Sequence, residues 1–298
     1  MANFLDAFLD AFLAALGDEV EDSYEETFDL FTNAAPLPSL GMVDPDATSI
    51  ELTIAGRDFT VTQSPGLLHS KQKLGTTGAA VWQTSVKVAE WLASPKNVLF
   101  ENGILDASST VLELGSGTSG IIASTLAPLV NKVVATDQQH LLKNLRANLD
   151  ANATPSAKPS GRKAGKAVPD SSHPVTTLAL DWEEDDVPKH LASHGLGCGV
   201  DMVLACDCVY NYALIEPFVQ ACADTCSLRN CKTDESVSHG EPCTTICLVA
   251  QQLRSSDVFE QWLEAFIRKF RVWRVPDEML TAGMKEGGRF VVHAGILR

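Results

Sequence analysis

The stretch TVLELGSGTSG, residues 110–120, constrains the fold more than any other part of the chain. An apolar strand pattern runs straight into glycines at 115, 117 and 120, the spacing GxGxxG, and an apolar helical pattern follows. Glycine lets the backbone turn sharply and come close to a nucleotide-like ligand, so the motif has meaning only inside a βαβ unit. That setting is present. Apolar strands are predicted over 110–114, 132–136, 175–180, 201–206 and 244–250, alternating with helices over 119–130, 138–150, 212–226 and 256–270. Such alternation makes right-handed crossovers and a doubly wound, mostly parallel, Rossmann-like α/β sheet. The chain closes with FRVWRV and GRFVVHAGILR, two strand patterns without a helical pattern between them, which predicts an antiparallel pair and seven strands in all.

Ahead of this domain, NFLDAFLDAFLAAL places Phe4, Phe8 and Phe12 and several leucines at helical spacing, with Asn3 as a potential N-cap. Its polar face carries Asp6 and Asp10 rather than lysine or arginine, so it is expected to pack on protein, not on a membrane surface. PLPSLGMVDPD reads as a linker. IELTIAGRDFTVTQ alternates about Ala55-Gly56-Arg57, which predicts a β-hairpin. The expected division is an N-terminal extension of helix and hairpin over 1–63 and the α/β domain over 64–298. Polar segments 153–174 and 227–242 are expected to be surface insertions, the first bearing Lys158, Arg162, Lys163 and Lys166.

Composition excludes several function classes. With 298 residues and 45% hydrophobic content the chain can bury a large core, and no apolar run is long enough to span a bilayer. No export signal is recognisable, so the expected compartment is the cytoplasm or nucleus, with the eight cysteines reduced. Cys222, Cys226, Cys231, Cys243 and Cys247 lack a Cys-x2-Cys pair, so no metal site is expected. The net charge is −15, and residues 1–56 hold 12 acids and no lysine or arginine. That field repels phosphate backbones and attracts basic polypeptides, so the expected partner is a basic protein and not a nucleic acid; a monomer is expected.

Asp137 ends the second strand of the unit, 22 residues after Gly115, where a carboxylate can accept hydrogen bonds from both hydroxyls of an adenosine ribose. A nicotinamide dinucleotide and S-adenosylmethionine both fit that frame. Glu113 leans to the second, because an anion beside the loop suits a cationic amino-acid moiety and would repel a pyrophosphate. About a hundred residues precede the glycine strand, among them GTTGAAVWQTSVKVAEWL, in which Trp82 opens an amphipathic helix able to lie over a cofactor. In LALDWEEDD, Asp181 and Trp182 fall where a strand tip reaches an adenine's amine and ring face.

Together, GTTGAAVWQTS, VLELGSGTSGI, VVATDQQHLLKNLRANL, LALDWEEDD, VLACDCVYNYALIEPFV and RFVVHAGILR resemble the class I, seven-β-strand methyltransferases, and more narrowly the lysine methyltransferases of the methyltransferase-like family 21 group, including its fungal ribosomal branch. The resemblance implies that Trp82, Gly115, Ser116, Gly117, Asp137, Trp182 and Cys206 line an S-adenosyl-L-methionine pocket. It places the family's Asp-x-x-Tyr signature on Asp207 and Tyr210, and implies a large-subunit ribosomal protein of the stalk base as substrate. The acidic N-terminal helix departs from the group's pattern, as does Cys206 before the signature acid.

In an open α/β sheet the strand tips near the switch in strand order form the site, so Asp207 and Tyr210 are expected on its rim, with Cys208 turned away or packed. A lysine nucleophile must be neutral, and deprotonating it at pH 7 costs about 4.6 kcal/mol. An adjacent carboxylate would raise that cost, so Asp207 is expected to orient the amine and Tyr210 to shape the channel. The rival readings are an NAD(P)-dependent oxidoreductase and a methyltransferase-like binding module without activity.

Overall fold

The computed structural model describes residues 3–36, 39–68, 77–153, 175–230 and 244–298. Side chains before Phe8 and the basic cluster Lys158 to Lys166 lie outside the described residues, as do Cys231 and Cys243. Helices of six residues or more are α1 (Asn3–Leu16), α2 (Ser23–Asn33), α3 (Gln83–Leu92), α4 (Ile121–Leu126), α5 (Leu142–Ala151), α6 (Ile215–Asn230) and α7 (Ser256–Lys269). The strands are β1 (Ser49–Ile54), β2 (Arg57–Thr62), β3 (Thr110–Leu114), β4 (Lys132–Asp137), β5 (Val175–Ala179), β6 (Met202–Cys206), β7 (Ile246–Gln252), β8 (Phe270–Arg274) and β9 (Phe290–Leu297).

β3 to β9 form one seven-stranded sheet in the order β5-β4-β3-β6-β7-β9-β8. β3 to β7 run parallel, and β9 inserts antiparallel between β7 and β8. The order runs outward from β3 through β4 to β5 and then resumes at β6, so the switch point lies between β3 and β6. Both faces are covered, as the alternation of each strand requires. Val111, Met202, Leu204 and Ile246 point into one apolar cluster with α3, α4 and α5, whereas Leu112, Leu114, Val203 and Val249 point into another with α6 and α7. Each fully buried side chain of this size contributes about 1.5–3 kcal/mol relative to leaving it in water.

The hairpin turns through Ala55 and Gly56, both at positive φ, the geometry whose twist matches two-residue hairpins. It does not stand apart from the sheet domain. Phe12, Leu16, Ile50, Ile54, Phe59 and Val61 share the first apolar cluster with the central strands. Asn148 on α5 receives a hydrogen bond from Thr62 N and donates to Thr62 O and Thr118 O. Arg57 donates to the backbone carbonyls of Ser124 and Asn152.

Two elements differ from the sequence expectation. A second N-terminal helix, α2, follows α1, capped by the Asp22 carboxylate on Tyr24 N and Glu25 N. Its apolar residues are spread by three acids, so no clean stripe announces it, and it forms because Leu30, Phe31 and Ala34 pack on the second cluster beside α7. α6 extends to Asn230, so residues 227–230 of the expected insertion are helical.

Candidate active site

The loop after β3 is approached so closely by other elements that a side chain at its glycines would collide with them. Gly115, Gly117 and Gly120 all have positive φ. A Cβ at Gly115 would fall 2.6 Å from Cys208 Sγ and 3.4 Å from the Trp182 ring. At Gly117 it would meet Gly78 O at 3.0 Å. The Thr77–Ala79 turn thus lies against the loop, held by Thr118 N donating to Gly78 O (2.7 Å), and Trp82 Nε1 donates to Thr77 O (3.0 Å). Trp82 is the N-cap residue of α3, so the helix expected to cover a cofactor begins at this turn.

Asp137 at the tip of β4 accepts from Gly117 N and from Gln138 N, each at 2.7 Å, which ties the acid to the loop. Burial pushes its carboxyl above the usual aspartate range, against those two backbone donors. Glu113 is fully buried and its Oε2 has no hydrogen-bond partner among the described residues. Its carboxyl is pushed up to about 7, chiefly by burial, with the Asp137 charge adding to it and the Ser116 hydroxyl opposing it. A buried carboxylate oxygen without a partner is costly, and a cation placed against it offsets that cost. The Trp182 ring packs on Phe218 with centroids 5.3 Å apart, and its Nε1 is buried without a partner. A glycine loop, two buried acids, Glu113 and Asp137, and the Trp182 indole therefore converge at the tips of β3 and β4. This donor set fits S-adenosyl-L-methionine, whose amino-acid end carries an ammonium and whose sulfur is a sulfonium, better than a dinucleotide pyrophosphate.

Across the switch point, Asp207 follows β6 at φ 59, and its N–H continues the ladder to Ala250 O (2.8 Å). Its carboxylate is almost sealed, with 3% of the side chain exposed. Arg254 grips it in bidentate fashion, Nη1 to Oδ1 at 2.6 Å and Nη2 to Oδ2 at 2.5 Å. Thr84 Oγ1 (2.7 Å) and Gln252 N (3.1 Å) supply two further donors. Arg254 also donates to Leu40 O (2.8 Å) and stands over the Trp82 ring, 5.1 Å from its centroid. One guanidinium therefore ties together β6, β7, α3 and the linker from the N-terminal extension. Tyr210 is 43% exposed on the same rim.

Cys206 is buried in the first apolar cluster, and Cys208 Sγ packs above Gly115 and donates to Leu114 O (3.2 Å). Burial pushes both thiols well above their ordinary range. No group of His, Cys, Asp and Glu among the described residues has the arrangement of a metal site.

Sequence reading missed Gly78, Thr84 and Arg254. GTTG before the tryptophan hinted at a close backbone approach, and QQLRSS sets a lone arginine just past an apolar strand. Nothing in either stretch says which carboxylate the arginine meets.

The lysine methyltransferase family model matches residues 62–234, from the end of the hairpin to beyond α6. Ribosomal lysine N-methyltransferase 5 of Eremothecium gossypii is 30% identical over 84% of this chain and 88% of its own length. The enzyme of that name in Zygosaccharomyces rouxii is 29% identical over 72% of each. A Schizosaccharomyces pombe protein named diaminohydroxyphosphoribosylamino-pyrimidine deaminase is 34% identical over 85% of this chain but 53% of its own, so this chain spans about half the length of that relative. The matched stretch holds the glycine loop, Glu113, Asp137, Trp182 and Asp207 in one continuous rim, and by that match the chain belongs to the lysine methyltransferase family.

Proposed function

We propose that this chain is an S-adenosyl-L-methionine-dependent protein-lysine N-methyltransferase acting in the cytoplasm on a lysine of a large-subunit ribosomal protein. The observation that carries the reading is Glu113, a buried carboxyl whose Oε2 has no partner among the described residues, set beside the glycine loop and Asp137. The family match and the names of the Eremothecium and Zygosaccharomyces relatives support lysine and ribosomal protein as acceptor and substrate class. No helix among the described residues is long and apolar enough to cross a membrane. In this reading residues 64–298 form the catalytic domain, and 1–63 an extension that completes its core and its rim.

When bound, S-adenosyl-L-methionine supplies a methyl group on a sulfonium. The protein's own residues bind and orient. Glu113 pairs with the cofactor's ammonium end, Asp137 accepts from ribose hydroxyls, and Trp182 offers an indole face to the ring. Asp207 already accepts four hydrogen bonds, two of them from a cation, so its charge does not hold the incoming amine protonated. It positions the β6 tip, and with it the Tyr210 phenol at the entrance. The amine loses its proton to water, and the acceleration comes from alignment in a narrowed channel.

The test is methyl transfer from radiolabelled S-adenosylmethionine to ribosomal proteins, followed by protease digestion and mapping of the labelled lysine. Label that resists ribonuclease and is lost to protease is expected. Thermal stabilisation by NADH and not by S-adenosylhomocysteine, or absence of label on any ribosomal protein, would overturn the proposal.

A further inference from the structure

The N-terminal extension carries a surface that nothing in the fold explains. On α2, Tyr24 and Phe28 are 63% and 62% exposed, one turn apart and stacked with ring centroids 6.3 Å apart. Their neighbour Phe31 turns inward on Phe259, which anchors the helix and leaves the other two rings facing water. Beside them a cleft of about 380 Å³ runs between α2 and the start of α7, its far wall formed by Asp257 and Glu260. Among the described residues no lysine or arginine lines it. Glu21 and Glu25 are exposed on α2 and its approach, and the first 56 residues contain no basic residue at all.

Acids alone would read as a solvated face, and two aromatics alone would suit any apolar partner. Their combination selects a side chain with an apolar stem and a cationic head, which lays its methylenes on the rings, faces their π-clouds and ends among the carboxylates. The location matters as much as the chemistry. The C-terminal end of α2 lies on the strap before β9, where a Cβ at Gly288 would come within 3.5 Å of Asn33 O. From there Arg289 is paired with Leu253, and Arg254 grips Asp207. Ser256, at the mouth of the cleft, is two residues from Arg254. Cleft and catalytic rim are thus linked by one short run of contacting and sequence-adjacent residues.

The geometry points to the Tyr24–Phe28 face of α2 as the docking surface for a Lys/Arg-rich segment of the protein that bears the acceptor lysine. This rests on the protein-lysine methyltransferase reading and adds to it a second contact, outside the methyl-transfer site, that selects the substrate. The surface should raise affinity without touching chemistry, so its loss appears in KM and leaves kcat unchanged.

The direct test is fluorescence anisotropy of the full chain with a short fluorescein-labelled Lys/Arg-rich peptide, with an acidic peptide and an oligoribonucleotide as comparison probes. Tyr24→Ser/Phe28→Ser and Asp257→Lys/Glu260→Lys are each expected to weaken the basic peptide about tenfold or more. Glu51→Lys/Asp150→Lys, the same charge change on the hairpin side of the sheet, is expected to leave it within about twofold, since screening limits distant surface charges. S-adenosylhomocysteine stabilisation should be retained by all three variants, which checks folding. Equal losses in all three, no binding of the basic peptide, or preference for the acidic peptide or RNA would overturn the docking surface. Because this assay needs no turnover, failure of methyl transfer and failure of docking are read separately.

Discussion

In the proposed reading Glu113 makes cofactor binding a proton-linked event, and the size of the linkage follows from its burial. Its ordinary value is 4.5 and in this site it is pushed up to about 7. A raised carboxyl means that the folded, ligand-free protein prefers the protonated acid. Its contribution to stability is present in full below about 4.5 and is lost as pH rises through about 7. That gap corresponds to about 3 kcal/mol. An ammonium group placed against the carboxylate returns it toward its ordinary value, so binding expels a proton wherever the free site is protonated and the bound site is not. Affinity for S-adenosylhomocysteine is therefore expected to be flat above pH 7 and to weaken by about one decade per pH unit below it, about 20-fold between about pH 7.5 and about pH 5.5. Isothermal titration calorimetry in two buffers of different ionisation enthalpy would report both the affinity and the proton released. Glu113→Gln is expected to bind more weakly at pH 7.5 and to lose the slope, which separates it from any part played by the buried Asp137. A wild-type affinity that does not change across this range, or a slope that persists in Glu113→Gln, would refute the assignment of Glu113 to the cationic end.

Removing the Arg254 guanidinium strands a buried carboxylate, so Arg254→Ala is expected to cost about 3–5 kcal/mol in urea denaturation, while Arg254→Lys recovers only part because a lysine cannot bridge both oxygens. Gly115→Ala drives a methyl to 2.6 Å from Cys208 Sγ at a positive φ, and thermal-shift stabilisation by S-adenosylhomocysteine should be abolished while the fold persists. Asn148→Ala leaves Thr62 and Thr118 backbone groups without their partner, and a loss of about 2–4 kcal/mol is expected, with faster hydrogen exchange confined to the β1–β2 hairpin.

The parallel sheet and its order of elements were legible along the chain because each strand is a short apolar run between helical patterns, and both signals are local. The glycine loop and the acid 22 residues later were legible for the same reason, since a βαβ unit has a nearly constant length. Glu113 and Asp137 could be proposed as ligands from position alone; that one is orphaned and the other tied to Gly117 N needed the fold. Helix α2 escaped notice because its stability comes from what it packs against. The Asp207 signature was visible, but its partner lay 47 residues downstream and its Thr84 donor 123 residues upstream.

Sequence by itself determined that the chain is an α/β protein with a glycine-rich loop at a strand tip, because backbone freedom and apolar period are properties of neighbouring residues. Tertiary structure alone decided how charge is satisfied beside that loop. Whether a buried carboxylate is neutralised, as Asp207 is by Arg254, or keeps an oxygen without a partner among the described residues, as Glu113 does, depends on groups brought within hydrogen-bond reach only by the closing of the sheet.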